Sequence, residues 1–242
     1  MLSNIKIILV GTLYGGNIGS TCRAMWNCGL SSLRLVTPSP DIDWTEAEKM
    51  AVHASGILKS RETYPSLRDA VADCGAIAGT SARTGLYRQH ARSPREIAAE
   101  IIPLAQDTPA AIVFGREDSG LTNDEVALCT HLVRIPTAPE QASLNLSQAV
   151  MVLAYELFLA HGVYERPEEK SHPAPGALRS RMMDLWRDYL LEIGFMDDQK
   201  ADHLSYAFNR IFSRGAMTEN DVTILMGVVR QSRWAIKNGK SV

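Results

Sequence analysis

The sequence has little that would tie the chain to a membrane, an oxidising compartment or a metal. No apolar run approaches the roughly 20 residues that a membrane span needs. The most apolar stretch, residues 149–160, carries Glu156 inside it. The N-terminal run 1–10 is too short and wrongly flanked for a secretory signal, so a cytoplasmic protein is expected. Only four cysteines occur, Cys22, Cys28, Cys74 and Cys129, with no C-x-x-C pair and no metal-ligand spacing. That argues against a disulfide framework or a bound metal, and for small buried hydrophobes. Neither charge sign dominates, because 25 Lys and Arg meet 27 Asp and Glu for a net charge of −2. No repeat of fixed period and no low-complexity tract is present. With 45% apolar and 21% charged residues the balance is globular, which excludes a disordered or collagen-like chain.

What is present points to two parts. The 242 residues correspond to between one and two domains at about 150 residues each. Up to about residue 160, short apolar runs alternate with helical stretches. The expected strands are Ile5–Val10, Leu33–Val36, Ala76–Gly79, Ala111–Phe114 and Leu132–Ile135. The expected helices are Ser20–Cys28, Trp44–Ser55, Leu67–Ala72, Pro94–Leu104 and Asp124–Cys129, then one from Asn145 or Ser147 to Gly162. Short continuous apolar runs suit strands buried on both faces, and their alternation with helices predicts a mostly parallel α/β sheet. The segment 164–176, with three prolines, reads as a linker. Beyond it, 177–242 is purely helical, with stripes Leu178/Met182/Leu185/Trp186/Tyr189/Leu190, Leu204/Phe208/Ile211/Phe212 and Val222/Leu225/Met226/Val229. The Trp186 and Tyr189 stripe reads as core, with base stacking as the alternative. Residues 200–242 hold seven Lys/Arg against three Asp/Glu, so the remainder carries −6. A basic C-terminal face for an anionic partner and an ordinary solvated helix surface both account for that asymmetry.

In open α/β sheets ligands bind beyond the carboxyl ends of the strands, so the loops there are the candidates. After the first strand, Gly11 to Gly19 is glycine-rich but fits neither G-x-G-x-x-G nor the Walker pattern. Gly15, Gly16 and Gly19 would permit close backbone approach to a ligand. Asn17 and Arg23 flank the expected helix start, where a guanidinium suits a phosphate; a tight turn with a surface arginine explains the same residues. The turn Gly79-Thr80-Ser81-Ala82-Arg83 offers small and hydroxyl groups to a polar ligand edge. Gly115-Arg116-Glu117-Asp118-Ser119-Gly120-Leu121 brackets a charged cluster with two glycines, just before the capping box Thr122-Asn-Asp-Glu125. Ile135-Pro136 leads to Ser143-Leu144-Asn145, which could be a simple helix cap.

Three of these blocks, in this order, resemble the SpoU/TrmH branch of the SPOUT methyltransferases, enzymes that methylate ribose 2′-hydroxyls of RNA. They are Asn17 to Arg23, Phe114-Gly115-Arg116-Glu117-Asp118-Ser119-Gly120-Leu121, and Ile135-Pro136 with Ser143-Leu144-Asn145. Together they span about residues 1–160. Within the branch, Gly79–Arg83, Gly120–Glu125, Ser143–Val150 and the helical extension are most similar to the TrmJ type, which acts on a cytidine or uridine at the first position of the tRNA anticodon loop. Gly15-Gly16 and the stretch Thr84 to Arg92 depart from that pattern, the latter leaving nucleotide and tRNA preference open. The resemblance implies a C-terminal trefoil knot, a homodimer, S-adenosyl-L-methionine as cofactor, tRNA as partner and no metal. It divides the chain into a catalytic domain (1–163), the linker and a helical region (177–242) that binds RNA or supports the dimer. It further implies that Gly79, Thr80, Ser81, Gly115, Gly120, Ile135, Ser143 and Leu144 hold the cofactor, and that Asn17, Arg23, Glu117, Ser143 and Asn145 act on the substrate. Since a guanidinium rarely releases its proton, Arg23 is expected to bind the RNA phosphate and the target hydroxyl rather than act as a simple base. Ser143 and Asn145 would orient the ribose, with Glu117 holding the arginine or its loop. Methylation of another tRNA or ribosomal RNA ribose is the alternative target. A non-catalytic RNA-binding factor is the alternative class.

Overall fold

The computed structural model describes residues 2–83, 85, 89–162, 164–165, 170–197 and 199–239. Of the divergent stretch Thr84 to Arg92, positions 84 and 86–88 lie outside the described residues, as do 166–169 of the expected linker. The chain divides into two compact units, Met1–Glu165 and Arg166–Val242.

The first unit is built on six strands: β1 (Ile5–Val10), β2 (Ser32–Val36), β3 (Glu62–Tyr64), β4 (Ala76–Thr80), β5 (Ala110–Phe114) and β6 (His131–Val133). They lie in the order β3-β2-β1-β5-β4-β6, and every pairing is parallel. β3 was not foreseen: it is three residues long, polar and at the edge, too short for any periodicity to register. Ile5, Ile7, Leu9, Leu33, Leu35, Ile112 and Phe114 point to one face, where they pack under α1 (Gly15–Asn27), α2 (Trp44–Ala51), α3 (Ser55–Lys59), α5 (Pro94–Leu104) and α7 (Leu146–His161). Ile8, Val10, Ile77, Ala111 and Val113 point to the other, under α4 (Leu67–Ala70) and α6 (Asn123–Ala127). Burial on both faces is why these strands read as continuous apolar runs. The expected helix Trp44–Ser55 is instead interrupted after Ala51, where Val52 takes a positive φ of 49° and starts a 3-10 turn.

The glycines after β1 do not approach a ligand. Gly15, Gly16 and Gly19 lie inside α1, which begins five residues earlier than its apolar pattern indicated. A Cβ on Gly15 would fall on the Asp43 carbonyl oxygen, and one on Gly19 on the Ala47 carbonyl oxygen. They are the surface on which α2 seats, and that packing outweighs the poor helix propensity of glycine. Gly→Ala in a helix interior ordinarily gains up to about 1 kcal/mol. At Gly19 the overlap is with backbone that cannot rotate away, so Gly19→Ala is expected to destabilise by about 1–3 kcal/mol. A thermal unfolding midpoint below that of the unchanged chain checks the sign.

In the second unit, α8 (Gly176–Glu192), α9 (Ala201–Phe212) and α10 (Glu219–Lys237) share small apolar clusters around Met182, Val222 and Met226, and around Leu190, Met196 and Ala201. Trp186 packs in both clusters and stacks on Phe208 at 6.3 Å between ring centroids, a core role rather than a base platform. Residues 171–175, expected as linker, are tied to the start of α10: Glu219 N–H donates to the His172 carbonyl, Ala174 N–H to the Met217 carbonyl, and Asn220 N–H to Ser171 Oγ. No helix among the described residues is long and apolar enough to cross a membrane.

Candidate active site

The strand order reverses between β1 and β5. The chain runs outward from β1 through β2 to β3, then crosses to β4 and returns through β5. The loops leaving β1 and β5 therefore diverge from neighbouring strand ends, the place where such sheets open a crevice. A cavity of about 270 Å³ is offset from that reversal, beyond the carboxyl ends of β4, β5 and β6, and is close to the roughly 300 Å³ at which small-molecule sites begin. Its walls come from 80–83 after β4, 114–121 after β5, Val133 and Ile135 at β6, and 142–149 leading into α7.

Seven of the eight residues expected to hold the cofactor line this cavity: Thr80, Ser81, Gly115, Gly120, Ile135, Ser143 and Leu144. Gly79 does not. It lies in β4, where a Cβ would fall 2.5 Å from Cys129 Sγ, so its missing side chain makes room for Cys129, just past α6, rather than for a ligand. Burial pushes the Cys129 thiol up to about 12, which leaves it a neutral packing group. The Thr80 hydroxyl donates to the Val113 carbonyl at 3.0 Å, tying β4 to β5. Ser81 N–H donates to the Val133 carbonyl and extends the β4–β6 ladder.

The floor is the turn 115–120. Arg116 and Gly120 close it with two reciprocal backbone hydrogen bonds, and Gly120 takes the left-handed φ of 66° that lets the chain reverse. A Cβ on Gly115 would overlap the backbone of Gly120 and Leu121, so the turn closes only over glycine. Outside it, the Arg116 guanidinium makes two 3.0 Å hydrogen bonds to the Glu125 carboxylate. Glu125 also accepts from the Thr122 N–H as the return half of the α6 capping box. Burial pushes the Glu125 carboxyl up, but hydrogen bonds from Arg116 and Thr122 outweigh it and hold it below the usual range. The clamp thus stays charged throughout neutral pH. Arg83 Nη2 crosses the cavity wall to donate to the Ser119 carbonyl at 2.5 Å.

Three of the residues expected to act on substrate form one chain of hydrogen bonds. Glu117 accepts from Leu13 N–H at 3.0 Å and from Asn17 Nδ2 at 2.9 Å. Asn145 Nδ2 donates to Asn17 Oδ1 at 3.0 Å, and Asn145 Oδ1 accepts from Ser147 N–H at the start of α7. A carboxylate can only accept, so Glu117 fixes which way Asn17 turns, and Asn17 in turn fixes Asn145. Asn145 is thus both the helix cap and part of the network. Glu117 and Ser143 line the cavity, whereas Asn17 and Asn145 are not among its lining residues. Arg23 joins neither. It lies on the exposed side of α1, six residues past Asn17, hence about 9 Å along the axis and roughly 120° around it, with no hydrogen bond or ion pair among the described residues. Sequence reasoning missed the Arg116–Glu125 clamp, the Arg83 strap and the Leu13 N–H. Capping-box spacing signalled Glu125, and the 79–83 and 115–121 blocks contained Arg83 and Arg116 without indicating their partners; nothing signalled the Leu13 N–H. No group of three or more His, Cys, Asp or Glu able to hold a metal occurs among the described residues.

Residues 4–155 match the SpoU rRNA Methylase family. The chain is 37% identical over 240 residues to the tRNA (cytidine/uridine-2′-O-)-methyltransferase TrmJ of Pectobacterium atrosepticum, covering 95% of this chain and 96% of that protein. It is 35% identical to the protein of the same name from Shigella dysenteriae, with 100% of each covered. Among solved structures it is similar to TrmJ from Z. mobilis, with a TM-score of 0.76, 30% identity, and 93% and 97% of the two chains covered. A probable methylase family protein from Haemophilus influenzae aligns with a TM-score of 0.63 and 33% identity over 99% of this chain and 100% of that one.

Proposed function

Because this chain belongs to the SpoU rRNA Methylase family, we propose that it transfers a methyl group from S-adenosyl-L-methionine to a ribose 2′-hydroxyl of tRNA, at the first nucleotide of the anticodon loop. The observation that carries this reading is the cavity beyond the carboxyl ends of β4, β5 and β6, lined by backbone and small side chains, with Glu117 in its lining hydrogen-bonded through Asn17 to Asn145. Such walls fit an adenosine-bearing cofactor, since backbone N–H and C=O groups can read a purine edge and the Cβ-free Gly115 lets the 115–120 turn close into a compact floor. Thr80, Ser81, Gly115, Gly120, Ile135, Ser143 and Leu144 would hold it. Gly79 supports the wall from behind.

The cofactor, when bound, supplies an already activated methyl group. What remains for the chain is to place the ribose and ease loss of its hydroxyl proton. Ser143, exposed and lining the cavity, has a hydroxyl with no hydrogen bond among the described residues and would orient the ribose. Asn145 and Asn17 keep the 143–145 segment in register with α1, and Glu117 anchors both to the cavity floor. Arg23 would bind the phosphate beside the target and stabilise the developing oxyanion. Its distance from the cavity of its own chain makes a homodimer part of this proposal, the second copy being the means by which Arg23 faces a cavity. The C-terminal unit, 166–242, would add sequence-independent phosphate contacts that make activity fall with salt.

Two measurements test the reading. Calorimetry should show S-adenosylmethionine binding, and labelled cofactor should then deliver its methyl group to an unmodified tRNA transcript. Cofactor bound with no transfer to any tRNA would favour the binding-factor alternative. A further expectation concerns the floor. Arg116→Ala leaves the half-buried Glu125 unpaired and frees the turn, so cofactor affinity should drop roughly tenfold, the effect of about 1.4 kcal/mol in a charged hydrogen bond. Unchanged affinity in that variant would show that the turn holds without its clamp.

A further inference from the structure

The outer face of α9 has no part in the site described above. Leu204, Phe208 and Phe212 turn inward to the apolar clusters. His203, Tyr206 and Arg210 turn outward at spacings of three and four, the repeat that aligns side chains along one helix face. Arg214 follows just beyond the helix end and is also exposed. Tyr206 is 76% exposed, the most of any large hydrophobic residue among those described. The side chains of Arg210 and Arg214 make no ion pair or hydrogen bond among the described residues. Asp202, the acidic residue beside this row, is already engaged by Arg187 at 3.7 Å. The row therefore presents two flat rings and two free guanidinium groups with no competing carboxylate. It lies in the part of the chain where Lys and Arg outnumber Asp and Glu by seven to three.

We propose that this face of α9 is an RNA-docking surface, on which an unpaired base of the substrate stacks against Tyr206 while Arg210 and Arg214 engage the flanking phosphates. The inference rests on the RNA methyl-transfer reading and names a contact surface for that substrate. Stacking needs a base splayed out of a duplex, and RNA loops supply such bases. Any base has a π-face, so the contact adds affinity without dictating sequence. The charges contribute the salt-dependent part. An apolar protein partner fits this face poorly, because two unpaired guanidinium groups and a histidine would have to be desolvated along with the one tyrosine.

The test uses the full chain and an unmodified tRNA transcript, with filter binding at several salt concentrations and S-adenosylmethionine affinity measured alongside. Tyr206→Ala should weaken tRNA binding about tenfold, the effect of losing one base–aromatic stack, and raise the KM for tRNA by a similar factor. Tyr206→Phe keeps the ring and should stay within about twofold. Arg210→Ala should weaken binding and reduce the slope of log affinity against log salt by about 0.7, one single-strand phosphate contact. Cofactor affinity should be unchanged in all three, which also reports an intact fold. If the unchanged chain binds tRNA and the Tyr206→Ala and Arg210→Ala variants bind it equally well, this surface is not the docking face and the methyl-transfer reading stands. If the unchanged chain binds no tRNA, the RNA reading itself fails and the proposal falls with it.

Discussion

Replacing Arg23 with alanine is expected to reduce methyl transfer by roughly a hundred- to a thousandfold, the usual effect of removing one donor aimed at developing negative charge. S-adenosylmethionine binding should not change, because Arg23 is not among the residues that line the cavity. The side chain is exposed on α1 and makes no contact that holds the fold, so stability should not change either. That combination separates a substrate-facing arginine from a structural one. Arg23→Lys should recover only part of the rate, since an ammonium keeps the charge but loses the planar fork that engages a phosphate with two hydrogen bonds. Loss of cofactor affinity in Arg23→Ala, measured by calorimetry, would remove Arg23 from the role assigned to it.

The second large effect belongs to Glu117. Its carboxylate takes hydrogen bonds from Leu13 N–H and Asn17 Nδ2, so Glu117→Ala strands two donors in a half-buried corner at about 1–3 kcal/mol each. The loss reaches both functions of the site. The 115–120 turn comes free of the α1 start, which lowers cofactor affinity, and Asn17 loses the acceptor that orients it and, through it, Asn145. A drop of between ten- and a thousandfold in kcat/KM is expected, shared between a higher cofactor KM and a lower kcat. Glu117→Gln keeps one acceptor oxygen and should fall between the two. A Glu117→Ala enzyme with unchanged cofactor KM would show that the turn is held by the Arg116–Glu125 clamp alone.

The buried strands and the capped helices were legible because their signals are local. β1 and β5 are apolar on both faces, and Thr122 opens a helix with a reciprocal cap that spacing alone reveals. What escaped depends on partners far along the chain. Gly15 and Gly19 look like a ligand loop until α2, more than 20 residues later, is seen to need the space. β3 is held by its pairing with β2 rather than by any pattern of its own. At the site, the 115–120 and 143–145 blocks were recognisable as motifs, yet the link between them is a relay through Asn17 that spans separations of 100 and 128 residues. Gly79 shows the converse: it belongs to a motif, but its missing side chain makes room for Cys129.

The most direct test of the central claim is to locate the methyl group. An unmodified tRNA transcript is incubated with the full chain and labelled S-adenosylmethionine, and the product is mapped by alkaline cleavage, to which a 2′-O-methylated ribose is resistant. The account predicts a single resistant step at the first nucleotide of the anticodon loop, with labelling that falls as salt rises. Label on a base, which leaves every backbone step cleavable, would contradict the assigned chemistry.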